Sequence, residues 1–289
     1  MKRLAVLLLL LFALTSPQPA STQFNGCLPG FCSGGSFSSS CAEATAFLAR
    51  TSGLNLAHKT DYNTLICGLV TDGVWAKLDV LHIYATADST TALLNLVSTS
   101  YNGTLSGTPA FVTDRGFVGD AVSHIDTGFN PTTAGSPKFV QNSAHVSIWS
   151  LNDPGGGAEG VIGVDSSTGE TDIYPHYNTG NTFLRINSTA IAGAAFTSAL
   201  GLLVANRSTN LAVQGYLNTS QIVTNNAATS TAPLNHSIPT MAIYHLDTAF
   251  YGNATYNLAE ASIGSSLSST DETNFYNRLR TYMTAKGIP

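Results

Sequence analysis

Glu170 and Asp172, in the stretch DSSTGETD, are the only close pair of carboxylates on a strand-like run of this 289-residue sequence. Two carboxylic groups facing one bond could supply the acid and the base, or the acid and the nucleophile, of glycoside hydrolysis. Only five glutamates occur, Glu43, Glu159, Glu170, Glu260 and Glu272, and the pair reads more simply as a solvated hairpin turn. The same stretch offers the oxygen ligands that calcium takes, without the spacing of an EF-hand loop. No cofactor is expected, with calcium the one candidate. G-x-S-x-G, H-E-x-x-H, Walker A and dinucleotide-binding fingerprints are all absent. No catalytic residue is assigned, and binding is expected before catalysis.

A second set of residues comes from strand alternation. In AHVSIWSL, Val146 and Ile148 share one face, and His145, Ser147 and Trp149 share the other. In TDIYPHY, Asp172, Tyr174 and His176 share a face, as do Phe183 and Arg185 in the next run. If Val146 and Ile148 point inward, then His145, Trp149, Tyr174, His176 and Arg185 are expected on an outer sheet face. Aromatic rings beside polar groups suit the apolar faces and hydroxyls of sugars. The plainer alternative puts Trp149 in the core and leaves the histidines as ordinary strand residues. For a hydrolase or lyase, Tyr174, His176 and Arg185 are the one set to test.

The elements that must position these residues follow from pattern and composition. Met1-Lys2-Arg3, the eleven apolar residues Leu4 to Leu14 and a polar exit to Thr22 read as a secretory signal over 1–22. Eleven residues are too few to cross a bilayer. A secreted or periplasmic chain is expected, with no membrane span after signal removal. Charged residues are 10% and net charge is −5, against about 25% charged residues in ordinary domains. With no basic stripe, nucleic acid is not expected as a partner, and the charge balance argues against an anionic membrane surface.

Residues 23–40 are a Gly/Ser/Cys linker, and 41–76 a helix pair. Ser40 and Glu43 have capping-box spacing for a helix to about Thr51, with Gly53 as its left-handed end. Tyr62, Leu65, Ile66, Leu69 and Val70 form one face of a second helix that stops at Asp72-Gly73. The even set Cys27, Cys32, Cys41 and Cys67 suggests disulfides in an exported chain. Cys41–Cys67, joining the helices, and Cys27–Cys32 are the favoured pairs among three connectivities, with free thiols the alternative. From Leu78 the period changes to 2, and short runs separated by Gly, Asn, Asp, Ser and Thr indicate an antiparallel β-sandwich over 77–289. A closing helix starts at a Ser269–Glu272 capping box. Its stripe, Phe275, Tyr276, Leu279, Tyr282 and Met283, needs a greasy surface, either the sandwich edge or the helix pair.

Three stretches, GTPAFVTDRGFVGDAVSHIDTGF, NLAVQGYLNTSQIVTN and LAEASIGSSLSSTDETNFYNRL, resemble the concanavalin A-like lectin/glucanase superfamily in its laminin-G-like jelly-roll branch. The likeness covers about residues 78–284. The stretch from ATAFLARTSGL to LDVLHIYA is similar to bacterial prophage-encoded proteins with a helix pair before such a sandwich. The resemblance implies a mostly β jelly roll, preceded by a helix pair and closed by a helix. It implies a lectin-like, non-catalytic protein whose partner is a glycan or cell-surface polysaccharide, with other virion proteins as partners if it is phage-encoded. A hydrolase or lyase and a purely structural virion module are the alternatives. The glucanases of the superfamily carry Glu-x-Asp-x-x-Glu, which this sequence lacks. Some relatives bind calcium at loop edges.

Overall fold

The computed structural model describes residues 40–155, 157–177, 180–195 and 198–289. The expected signal segment, nearly all of the linker and the Cys27–Cys32 pair lie outside the described residues.

Helices α1 (Ala42–Leu48) and α2 (Leu56–Thr71) come first, then a 3-10 turn at Trp75–Lys77, strand β1 (Leu78–Ile83) and a single helical turn α3 (Ser89–Ala92). The strands that follow are β2 (Thr104–Ser106), β3 (Phe111–Val112), β4 (Gly116–Phe117), β5 (His124–Asp126), β6 (Ala144–Ser150), β7 (Ile162–Ser166), β8 (Gly169–Tyr177) and β9 (Asn181–Arg185). After them come β10 (Ala192–Ala195), β11 (Gly201–Arg207), β12 (Val213–Leu217), β13 (Ser220–Asn225), β14 (Pro239–Thr240), β15 (Ala242–His245), β16 (Phe250–Asn253) and β17 (Leu258–Gly264), and the chain closes on α4 (Ser269–Ala285).

The strands form two sheets. The first runs β13-β12-β11-β6-β17-β4-β3, with β1 also on β17. The second runs β10-β9-β8-β7-β14-β5-β2, with β15 beside β7 and β16 beside β15. The pairings are antiparallel except β15 on β7, which is parallel with His245 opposite Asp165. The expected mostly β sandwich, with helices ahead of it and one closing it, is the fold observed.

Two cores hold it together. Between the sheets, Val146, Ile148, Leu203 and Ile263 meet Ile162, Val164, Ile173 and Leu184. On the far side of the first sheet, Leu81, Ile83, Trp149, Leu202 and Val204 meet Phe47, Tyr62, Leu65, Phe275, Leu279 and Tyr282 of the helices. Strand β11 is therefore buried on both faces, which is why GLLVAN reads as an unbroken apolar run rather than an alternating one.

The helix ends differ in detail from the sequence reading. Cys41, not Ser40, precedes α1 and makes no side-chain cap. Its amide instead donates to Cys67 Sγ at 3.0 Å, and Ser40 Oγ lies 3.0 Å from Thr45 Oγ1. The Cys41–Cys67 disulfide, with Cα atoms 5.5 Å apart, ties α1 to α2 as expected. Gly53 is left-handed, but in the connection beyond the end of α1.

The capping box of α4 is Ser268 with Asp271, one residue earlier than the spacing suggested. That shift releases Glu272 from the cap and turns it inward. At its other end α4 stops on left-handed Gly287, with Ile288 N–H donating to Met283 O and Gly287 N–H to Thr284 O. These two bonds satisfy carbonyls that the last turn leaves open. The helix covers the outer face of the first sheet rather than its edge. It is fixed beside α2 by Arg278 on Asp72 at 2.7 Å and Lys286 on Asp61 at 2.6 Å. Among the described residues no helix is long and apolar enough to cross a membrane.

Candidate functional site

The five residues expected on one outer face are split between the two sheets. His145 and Trp149 point away from Val146 and Ile148, as alternation requires, but α4 covers them. Trp149 is 2% exposed, with Tyr276 stacked parallel to it at 5.8 Å and the Arg280 guanidinium 5.9 Å from its ring. His145 is fully buried, with Nδ1 at 2.5 Å from Ser265 O and Nε2 at 3.1 Å from Ser262 Oγ. Burial pushes its pKa down to about 4, so it is neutral there at physiological pH. The physical reason for the mismatch is the greasy stripe of α4. It needs an apolar surface, and the outer face of β6, β11 and β17 supplies one.

Tyr174, His176 and Arg185 lie on β8 and β9 of the second sheet, whose outer face no helix among the described residues covers. A register irregularity between Tyr174 and Tyr177 breaks the alternation. Tyr177 joins the face carrying Tyr174, the two rings meeting edge-on at 5.4 Å. His176 does not line the cleft that these rings border.

That cleft has a volume of about 440 Å³, bordered by Asp165, Glu170, Tyr174, Tyr177, Arg185 and His245. Register builds it. Asp165 pairs with Glu170, Gly163 with Asp172, and Asp172 with Arg185 across β7, β8 and β9. Gly163 has φ +142°, and a Cβ there would lie 2.1 Å from Thr171 O and 2.7 Å from Asp172 Cα. Only glycine lets β8 approach this closely.

Arg185 organises the polar side of the cleft. Its Nε and Nη2 donate to Asp172 Oδ1 and Oδ2 at 2.9 and 2.7 Å, a two-pronged pair, and Nη1 contacts Glu170 Oε2. Burial, and then the charge of Asp165, raise the Asp172 pKa well above the usual carboxylate range. Burial lowers Arg185 to about 10, which leaves it a cation at neutral pH. The guanidinium also stands 5.7 Å from the Tyr174 ring centre. On the far wall His245 Nδ1 sits 2.8 Å from Asp165 Oδ1.

Oxygens of Asp165, Glu170 and Asp172 all come within 4.8 Å of one another. They are the donors that calcium takes. The Arg185 cation, however, already touches two of the three carboxylates, so a metal ion there would have to displace it. These residues as placed do not fit a resident cation.

The sequence reading missed Asp165, Tyr177 and His245. Asp165 and His245 come from segments far apart in the chain, joined by the parallel pairing of β7 with β15, and no local pattern announces that contact. Also unforeseen are two imidazole–tyrosine stacks, His236 on Tyr244 at 3.7 Å and His124 on Tyr251 at 3.8 Å.

No family model matches the sequence, and no curated protein matches it. Solved structures do share the fold. Domain 4 of AbnA, a GH43 extracellular arabinanase from Geobacillus stearothermophilus in complex with arabinotriose, is 16% identical with TM-score 0.52; the match covers 69% of this chain and 98% of that one. The botulinum neurotoxin serotype D binding domain is 12% identical with TM-score 0.52, over 73% of this chain and 52% of that one. The receptor binding domain of the botulinum neurotoxin C/D mosaic serotype is 12% identical with TM-score 0.50, over 70% of this chain and 51% of that one. This chain thus spans about half the length of the toxin domains. At these identities the likeness is one of fold, a jelly-roll-like β-sandwich.

Proposed function

We propose that this protein is a non-catalytic glycan-recognition β-sandwich and that the cleft of Tyr174 and Tyr177 holds the sugar. The observation that carries this is the half-buried Tyr177 ring, set edge-on to the buried Tyr174 and beside a fixed Asp–Arg–Glu–His wall in one open cleft. Ring faces stack on the apolar faces of a sugar, and charged groups held by their neighbours accept or donate hydrogen bonds to hydroxyls. The fold shared with an arabinanase domain in complex with arabinotriose supports the reading.

Catalysis is disfavoured by Arg185. Hydrolysis needs two carboxyls free to act across one bond, and here Asp172 and Glu170 converge on one guanidinium. The wider setting we propose is export by residues 1–22 to the periplasm or medium. Display on a phage particle is the form of this setting that the prophage resemblance implies.

The test is a glycan array with the purified protein, followed by a reducing-end assay on each glycan bound. Binding without release of reducing ends, lost in Tyr177→Ala, supports the reading. A protein that binds no glycan, or that cleaves the one it binds, overturns it.

A further inference from the structure

A second cavity lies at the other side of the molecule, where the last residues of the chain meet the first sheet. It has a volume of about 430 Å³ and is bordered by Trp149, Leu151, Leu200, Ile288, Pro289 and Arg115. Ser150 and Gly201 complete the lining, so five of its eight residues carry apolar side chains. Leu200 is 49% exposed and marks the mouth, while Trp149 and Ile288 are buried and form the floor. The volume is in the range of small-molecule sites, which are apolar with a few placed polar groups.

Arg115 is the polar group that gives this cavity a chemistry. Its Nη1 donates to Asp114 O at 2.9 Å and Lys286 O at 2.6 Å, and its Nη2 to Gly287 O at 3.2 Å. Among the described residues its hydrogen-bond partners are carbonyl oxygens, and no Asp or Glu side chain pairs with it. Carbonyl dipoles hold the guanidinium in place and leave its charge available. A fixed cation at the rim of an apolar cavity is complementary to a molecule with an apolar body and one anionic end.

We propose that this cavity is a binding site for a small amphipathic carboxylate, its apolar body against Trp149 and Leu200 and its carboxylate at Arg115. The site is separate from the tyrosine cleft and does not depend on glycan binding.

The chain has two tryptophans, Trp75 and Trp149. Trp75→Phe in the full-length protein therefore leaves Trp149 as the single indole reporter. Octanoate, kept below its aggregation range, should change the Trp149 emission saturably, and octanol should bind at least about tenfold more weakly. Arg115→Gln should weaken octanoate by about tenfold and leave octanol unchanged. That residue also anchors 286–287, so Leu200→Phe, which narrows the mouth without touching the anchor, should weaken both probes. Calorimetry on the wild type gives the same ranking without fluorescence. No saturable signal, octanol binding as tightly as octanoate, or octanoate binding unaltered by Leu200→Phe would each overturn the proposal.

Discussion

Arg185 donates to a carboxylate, Asp172, that has no solvent contact, and its own side chain is only 13% exposed. Removing one partner of such a buried pair leaves the other charge without compensation. Arg185→Met should therefore lower stability by about 3–5 kcal/mol, read as a shift of the urea midpoint at constant slope. Asp172→Asn added to it should recover part of that loss. If the double variant is no more stable than the single one, the pair does not hold the cleft together. Trp149→Ala should cost about 3–5 kcal/mol, because the ring is a core residue beneath α4. Any loss of sugar binding in this variant should then accompany unfolding rather than occur in a stable protein. A folded Trp149→Ala protein with an unchanged melting temperature would contradict that placement.

Other buried ionisable side chains set the pH response. Burial raises Glu260 to about 8 and lowers His145 and His82 to about 4. A carboxyl whose folded pKa is raised contributes stability that is complete below its unfolded pKa, near 4.5, and is lost as pH rises toward 8. An imidazole whose folded pKa is lowered contributes stability that is complete above about 6.5 and is lost as pH falls toward 4. Above pH 6.5 the histidines no longer change and the raised carboxyls, Glu260 with Asp172 and Glu272, act alone, so stability should fall as pH rises from that value. It should then fall by about 2 kcal/mol between pH 6.5 and 8 from Glu260 alone, at about 1.4 kcal/mol per pH unit. Urea midpoints at pH 5, 6.5 and 8 check the shape, and Glu260→Gln should flatten its alkaline limb.

At the scale of elements, the helical layer is held by one covalent tie and one apolar stripe. The disulfide spans 26 residues, and its loss by Cys41→Ser with Cys67→Ser should cost about 3 kcal/mol on loop-closure grounds. Leu279 is fully buried in the second core. Leu279→Ala should cost about 2–5 kcal/mol, and a melting temperature equal to the wild type would show that α4 carries no load. These elements were legible in the sequence because each has its own local signal. Tyr62 to Val70 repeat at helical spacing, Phe275 to Met283 form a stripe, and Val146 with Ile148 alternate against Trp149. The surface each stripe would meet was not legible. Trp149 was assigned the correct side of its strand, but nothing within AHVSIWSL tells that a helix 120 residues later covers it. The one-residue shift of the α4 cap has a similar origin. Ser268 and Ser269 both fit the spacing, and the choice rests on whether Glu272 can be taken into the core.

At the scale of the whole molecule, the two sheets have different outer surfaces. The first is roofed by helices from both ends of the described chain, and no helix among the described residues covers the second, which carries the cleft of Tyr174 and Tyr177. The cleft was the least legible feature because its walls come from β7, β8, β9 and β15, and the joining of β15 to β7 is a long-range, parallel contact. Spacing alone shows Glu170 and Asp172 as a pair, whereas their common partner Arg185 comes from the next strand and alternates with the rings.

The position of β17 bears on how this chain is made. Strands β1, β4 and β6 all register on it, and it spans only Leu258–Gly264, near the end of the sequence. During synthesis, about 250 residues emerge before the first sheet has its middle, and α4 must follow before the outer face is covered. A chain stopped at residue 257 should stay unfolded, with no cooperative melting transition and high sensitivity to protease. Assembly of this sheet thus waits for β17, and the topology, dominated by distant pairings, is of the slow-folding kind. A nascent chain of this topology therefore carries its apolar strands without a compact core until β17 has been delivered.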